Sequence, residues 1–195
     1  MDSIEIIDRL IAFPTVSRDP NLGLIDWVRD RLAERGIDCL LVGDATGTKA
    51  NLYATVGPAD RPGVMLSGHT DVVPVDGQHW THPPFALTRQ GGRLYGRGAA
   101  DMKGFVACAL TAAMRAARRP LIAPLHLALS YDEEVGCIGV RRLIEVLAER
   151  RSGRPSASSA SRPPWRRRRA TRARRRCARP ASAGRRTRRS RRSAT

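Results

Sequence analysis

Leu125-His126-Leu127-Ala128-Leu129-Ser130-Tyr131-Asp132-Glu133-Glu134 runs from an apolar segment directly into three consecutive acidic side chains. A short apolar run of this kind reads as a buried strand, and the acids fall just beyond its carboxyl end. Val64-Met65-Leu66-Ser67 repeats the arrangement: a short buried strand that delivers His69, with Thr70 and Asp71 following. Between them, Asp76 to Gly98 is rich in Gly and Pro and reads as a long loop with room for a short hairpin. Met102 to Arg118 reads as a helix, with Ala107, Ala109, Ala112 and Ala113 suited to close packing. Upstream, Ile4, Ile7, Leu10 and Ile11 recur at helical spacing until Pro14. Leu24, Ile25, Val28 and Leu32 mark a second helix from about Asn21 to Gly36, and Cys39–Val42 and Leu52–Val56 read as strands. Val140 to Glu149 is helical again. Strands alternating with helices predict the α/β class, with a sheet covered on both faces. In such sheets ligands collect beyond the carboxyl ends of strands, where His69-Thr70-Asp71 and Asp132-Glu133-Glu134 both lie.

Charge divides the chain in two. Over its 195 residues the formal net charge is +17, yet residues 1–150 carry 17 basic and 18 acidic side chains, a net charge of −1. Residues 151–195 carry 18 arginines and no acid, in a vocabulary of Arg, Ser, Ala, Pro, Thr, Gly, Trp and Cys that cannot build a core. A uniformly basic domain is therefore excluded. An arginine arm gripping nucleic-acid phosphates is the competing reading of the tail, and the absence of lysine from it argues against that partner. Met1-Asp2-Ser3-Ile4-Glu5 lacks the positive start of a signal peptide. The longest largely apolar stretch, Phe105 to Met114, is half of a membrane span of about 20 residues, so no membrane partner is expected. Cys39, Cys108, Cys137 and Cys177 form no C-x-x-C pair, and reduced thiols in a cytoplasmic protein are expected.

Three segments carry the chemistry: Ser67–Asp71, Gly96–Gly104 (Gly-Arg-Gly-Ala-Ala-Asp-Met-Lys-Gly) and Asp132-Glu133-Glu134. Zinc accepts imidazole nitrogen and carboxylate oxygen, so His69, Asp101 and Glu134 are suitable ligand types. Two ions roughly 3.5–4 Å apart can share a carboxylate and activate a water near neutral pH. Asp71, two residues past His69, could orient the imidazole. Glu133 and Glu134, being adjacent, should point in different directions, one to metal and one to the proton of the attacking water. Each signal also has a plainer reading. His-x-Asp is common on surfaces, Asp-Glu-Glu often starts a solvated helix, and Asp101 could cap the helix that follows. His79, His82 and His126 read as structural.

Ser130-Tyr131-Asp132-Glu133-Glu134-Val135-Gly136-Cys137-Ile138-Gly139-Val140-Arg141-Arg142-Leu143 is the most specific text in the chain. With Phe13-Pro14-Thr15-Val16-Ser17-Arg18-Asp19 and Asp71-Val72-Val73-Pro74-Val75-Asp76-Gly77, it resembles the dizinc amidohydrolases of the aminoacylase/carboxypeptidase group over residues 1 to about 150. The resemblance implies the N-terminal part of a zinc-exopeptidase-like catalytic domain, a mixed sheet with helices on both faces. It implies two divalent ions, zinc with cobalt also suited: His69 on one, Glu134 on the other, Asp101 bridging. Glu133 would be the general base and Asp71 would hold His69. The reaction implied is amide hydrolysis of a small N-acetyl amino acid, with an N-succinyl diamino acid as the alternative substrate.

Three family features have no counterpart in the chain as written: a Gly-Glu-Pro-Thr stretch, an inserted dimerisation domain with His-Ser-Ser, and a late metal-binding histidine. The family homodimer is therefore not expected. Ser158–Trp165 can be encoded so that moving the frame back one base yields Ile-Val-Gly-Glu-Pro-Thr-Pro-Met. The same shift turns Ala170–Ala173 into Gly-His-Lys-Gly and Thr187–Arg192 into His-Ser-Ser-Leu-Ala-Pro. Residues 151–195 are accordingly expected to be a disordered, out-of-frame tail, and the chain as written to be inactive or nearly so.

Overall fold

The computed structural model describes residues 1–151. The chain opens with helix α1 (Ser3–Ile11), started by a reciprocal cap. Asp2 accepts from the amides of Ile4 and Glu5 at 2.9 and 2.8 Å, and Glu5 accepts from the Asp2 amide at 2.8 Å. Helix α2 (Leu22–Ala33) follows, with Leu24, Ile25, Val28 and Leu32 buried on one face. Strands β1 (Cys39–Gly43), β2 (Ala50–Val56) and β3 (Val64–His69) come next. The long loop contains the hairpin β4 (Thr88–Gln90) and β5 (Arg93–Tyr95). Its two-residue turn, Gly91-Gly92, has φ of +57° and +73°, the left-handed pair that such a turn requires. Helix α3 (Gly104–Ala116), strand β6 (Leu125–Ser130) and helix α4 (Ile138–Arg151) complete the described residues.

The main sheet has the order β1-β2-β6-β3. β1/β2 and β2/β6 are antiparallel, whereas β3 and β6 are parallel, with His69 paired to Ser130. The sheet is therefore mixed, and its one parallel pair among the described residues brings two carboxyl ends side by side. Leu52, Ala54, Val56, Leu127 and Leu129 pack on one face against α1, α2 and α3. Ala128 and Val42 pack on the other face against Leu143 and Val146 of α4. This is the class the sequence predicts, an α/β sheet with helices on both faces.

Three local expectations differ from the structure. β3 is not buried along its length: Val64 is 62% and Met65 50% exposed. Among the described residues β3 is an edge strand with β6 as its only neighbour, so its first half lacks cover. Ala112 is exposed, on the side of α3 away from the sheet, while Ala107, Ala109 and Ala113 are buried. The helix expected from Met102 begins at Gly104, because Asp101 and Met102 have non-helical backbone.

Gly139 marks where α4 meets the sheet. A Cβ there would lie 2.3 Å from the Tyr131 carbonyl oxygen, and the Gly139 carbonyl accepts from Asn51 Nδ2 at 3.0 Å. Gly139→Ala is expected to lower stability by about 1–3 kcal/mol, the usual cost of forcing apart a packed contact. Urea unfolding of the two chains checks this; equal stability would mean that α4 is not seated against Tyr131.

Candidate metal centre

His69 is the last residue of β3, and its neighbour β6 ends at Ser130, so both carboxyl ends open at one place. A buried polar network fixes the two ends together. Thr70 donates its amide and its hydroxyl to the Ser130 carbonyl at 2.8 and 2.9 Å. Asn21 Nδ2 donates to the Ala50 carbonyl and to Thr70 Oγ1, and Asn21 Oδ1 accepts from the Ala50 amide. The segment after Pro14 lies along residues 70–72, with Val16 bridged to Val72. That placement brings Ser17 to Asp71.

Asp71 is 3% exposed and saturated. Its Oδ2 accepts from Ser17 Oγ at 2.7 Å and from the Glu134 amide at 3.2 Å; its Oδ1 accepts from the Glu133 amide at 3.2 Å. Nδ1 of His69 lies 3.5 Å from Asp71 Oδ1 and 3.0 Å from the Asp71 carbonyl oxygen. Burial alone would push this carboxyl up, but the bonds from His69, Ser17 and the two glutamate amides outweigh it and hold it down to about 2.

With Nδ1 engaged, the His69 ring turns Nε2 toward the opening. There it lies 3.1 Å from Asp101 Oδ1 and 3.6 Å from Glu133 Oε2. Burial pulls the imidazole down, yet the Asp71 and Asp101 contacts prevail and the ring keeps its proton up to about 9. Burial raises the Glu134 carboxyl, and the negative charge of Asp101 adds to the rise. Lys103, 1% exposed, donates from Nζ to the Phe13 carbonyl at 2.7 Å, and burial draws it down to about 7.

Among the described residues, His69, Glu133 and Glu134 each bring a ligand atom within 4.8 Å of the other two. The two glutamates therefore converge where sequence adjacency suggested divergence. Their backbone is a turn, closed by the amides of Gly136 and Cys137 on the Glu133 carbonyl and of Ile138 on that of Asp132, so strand alternation does not apply. Asp101 lies outside that trio but contacts His69, and its side chain is 75% exposed. It does not cap α3: Lys103 holds the cap position, and no side chain caps the helix. His126 accepts or donates within the sheet, at 2.8 Å from Tyr53 Oη and 2.9 Å from Thr55 Oγ1, while His82 lies against Tyr95. The expectations for residues 152–195, Cys177 among them, lie outside the described residues.

One imidazole facing three carboxylates, with a fourth behind it, is a donor set and a charge density suited to a divalent cation. The sequence assigns no site role to Ser17, Asn21, Lys49 or Lys103. The available signal is composition: residues 1–150 hold 15 arginines and two lysines, and Lys49 and Lys103 are both drawn in around this site.

Residues 65–170 match peptidase family M20/M25/M40, and the chain belongs to that family of metal-dependent peptidases and amidohydrolases. It is 43% identical over 144 residues to acetylornithine deacetylase of Myxococcus xanthus, covering 71% of this chain and 37% of that protein. Human carnosine dipeptidase 1 superposes with a TM-score of 0.66 at 26% identity, over 76% of this chain and 35% of the dipeptidase. A dinuclear metal-binding peptidase of the M20 family from Bacillus subtilis has the same fold, with a TM-score of 0.54 at 22% identity over 75% of this chain and 39% of its own. The chain thus spans a little over a third of these relatives' length.

Asp71 contributes to the acid sensitivity of the metal-free chain. Its carboxyl falls from an ordinary value of 3.8 to about 2 on folding. The stabilisation is therefore present above pH about 4 and drains away as pH falls toward 2. Urea midpoints are expected to drop across that window. Asp71→Asn should be less stable at neutral pH and show a shallower drop; equal slopes would mean that Asp71 is not bonded as described.

Proposed function

We propose that the chain is part of a metal-dependent amidohydrolase that removes the acetyl group from N-acetylornithine, giving ornithine and acetate, a step of arginine biosynthesis. The observation that carries the substrate is the 43% identity to the Myxococcus xanthus deacetylase over 144 residues. In this reading His69 would hold one divalent ion and Glu134 the other, with Asp101 shared between them. Zinc or cobalt suits the donors, and such ions supply Lewis-acid polarisation of the acyl carbonyl and an acidified water. Asp71 keeps His69 in the tautomer whose Nε2 faces the site. Glu133, held by its amide to Asp71, takes the proton of the attacking water and delivers it to the departing amine nitrogen.

We also infer that residues 1–150 are the N-terminal part of the catalytic domain and that residues 151–195 are read out of frame. Resequencing across codons 145–165 tests the frame directly. The chain as written should turn over N-acetylornithine far below the order of 10 per second common among enzymes. The frame-restored protein should be active, and Glu133→Gln in it should lower kcat by about 10²–10⁴-fold. An active restored protein that prefers an N-succinyl diamino acid would overturn the substrate. Full activity of E133Q would overturn the base.

A further inference from the structure

We propose that Lys49 is the positioning residue that holds Asp132-Glu133-Glu134 in the conformation that aims both glutamates at His69. The role rests on the metal-centre reading above and extends it to a residue outside the donor set.

Lys49 closes the loop between β1 and β2, directly before Ala50. Its Nζ lies 2.7 Å from Asp132 Oδ1, and the two side chains are 15% and 17% exposed. The same ammonium donates to the Ser17 carbonyl and stands 5.9 Å from the centre of the Tyr131 ring. Ser17 in turn donates to Asp71, which accepts the amides of Glu133 and Glu134. The acidic segment is thus gripped from two sides: a cation on the side chain of its first residue, and a buried anion on the amides of the next two.

Asp132 needs such a grip. Its φ is +55°, a left-handed conformation that non-glycine residues adopt infrequently and that persists where surroundings impose it. Relaxation to negative φ at this residue would swing the following two side chains away from His69. The conformation is the hinge on which the convergence of Glu133 and Glu134 depends.

The chemistry selects lysine in particular. A compact ammonium has three donors that can be split among a carbonyl, a carboxylate and a ring face. A planar guanidinium at this depth would have to displace one of them. Residues 1–150 hold 15 arginines and two lysines, and Lys49 is one of the two.

The test uses the chain as written, labelled with ¹⁵N, and compares it with Lys49→Met, Asp132→Asn and the double variant. The first readout is amide hydrogen exchange at Glu133 and Glu134 without metal, with Leu129 of β6 as an internal reference. The second is titration with Co²⁺, followed by its visible absorption. K49M and D132N should each speed exchange at Glu133 and Glu134 by at least about tenfold while Leu129 stays protected. Each should weaken Co²⁺ binding by about 10–100-fold, the range for partners that orient metal ligands. The double variant should lose little beyond either single one, because both break the same contact. Unchanged exchange at the two glutamates in a folded K49M chain would overturn the role of Lys49. If K49M does not fold, D132N decides the question by the same readouts. Failure of the unaltered chain to bind Co²⁺ would count against the metal centre, while the exchange data would still decide whether Lys49 holds the segment.

Discussion

A buried carboxylate must be fully bonded or it destabilises the fold, and Asp71 meets that demand with donors from three segments of the chain. Ser17 reaches it from the segment after α1, His69 from the end of β3, and the amides of Glu133 and Glu134 from beyond β6. Satisfying one charge therefore assembles the site. The same contacts fix the orientation of the imidazole and the direction of the acidic turn, so folding and metal-ligand geometry share one set of bonds.

The sheet makes that convergence possible. β3 and β6 pair in parallel, so their carboxyl ends lie together, and Thr70 ties them through Ser130. α1, α2 and α3 cover one face and α4 the other, which leaves the strand ends as the open place for polar side chains. The result is a rigid platform carrying four carboxylates and one imidazole, a charge arrangement that a divalent cation relieves. Membership of peptidase family M20/M25/M40 fits this arrangement.

Much of this could be read from the sequence, for identifiable reasons. Apolar spacing at Ile7, Leu10 and Ile11, and at Leu24, Ile25, Val28 and Leu32, located two helices because those residues face one core. His69 and the acidic trio followed from their position after apolar strands. What escaped was set by tertiary contacts. The exposure of Val64 and Met65 depends on which strand lies at the edge, and the start of α3 depends on a backbone turn at Asp101. The convergence of Glu133 with Glu134 depends on Asp71, more than sixty residues away in sequence. Ser17, Asn21 and Lys49 carry no local periodic signal, since each acts through a single side chain on a loop or cap.

The central claim is that His69, Glu133 and Glu134, with Asp101 beside them, form a divalent-cation centre. The most direct measurement is a crystal of the chain soaked in zinc and diffracted at the zinc absorption edge. The account predicts an anomalous peak against Nε2 of His69 and the carboxylate oxygens of that cluster. Zinc bound elsewhere on the described residues, with those side chains left empty, would contradict it.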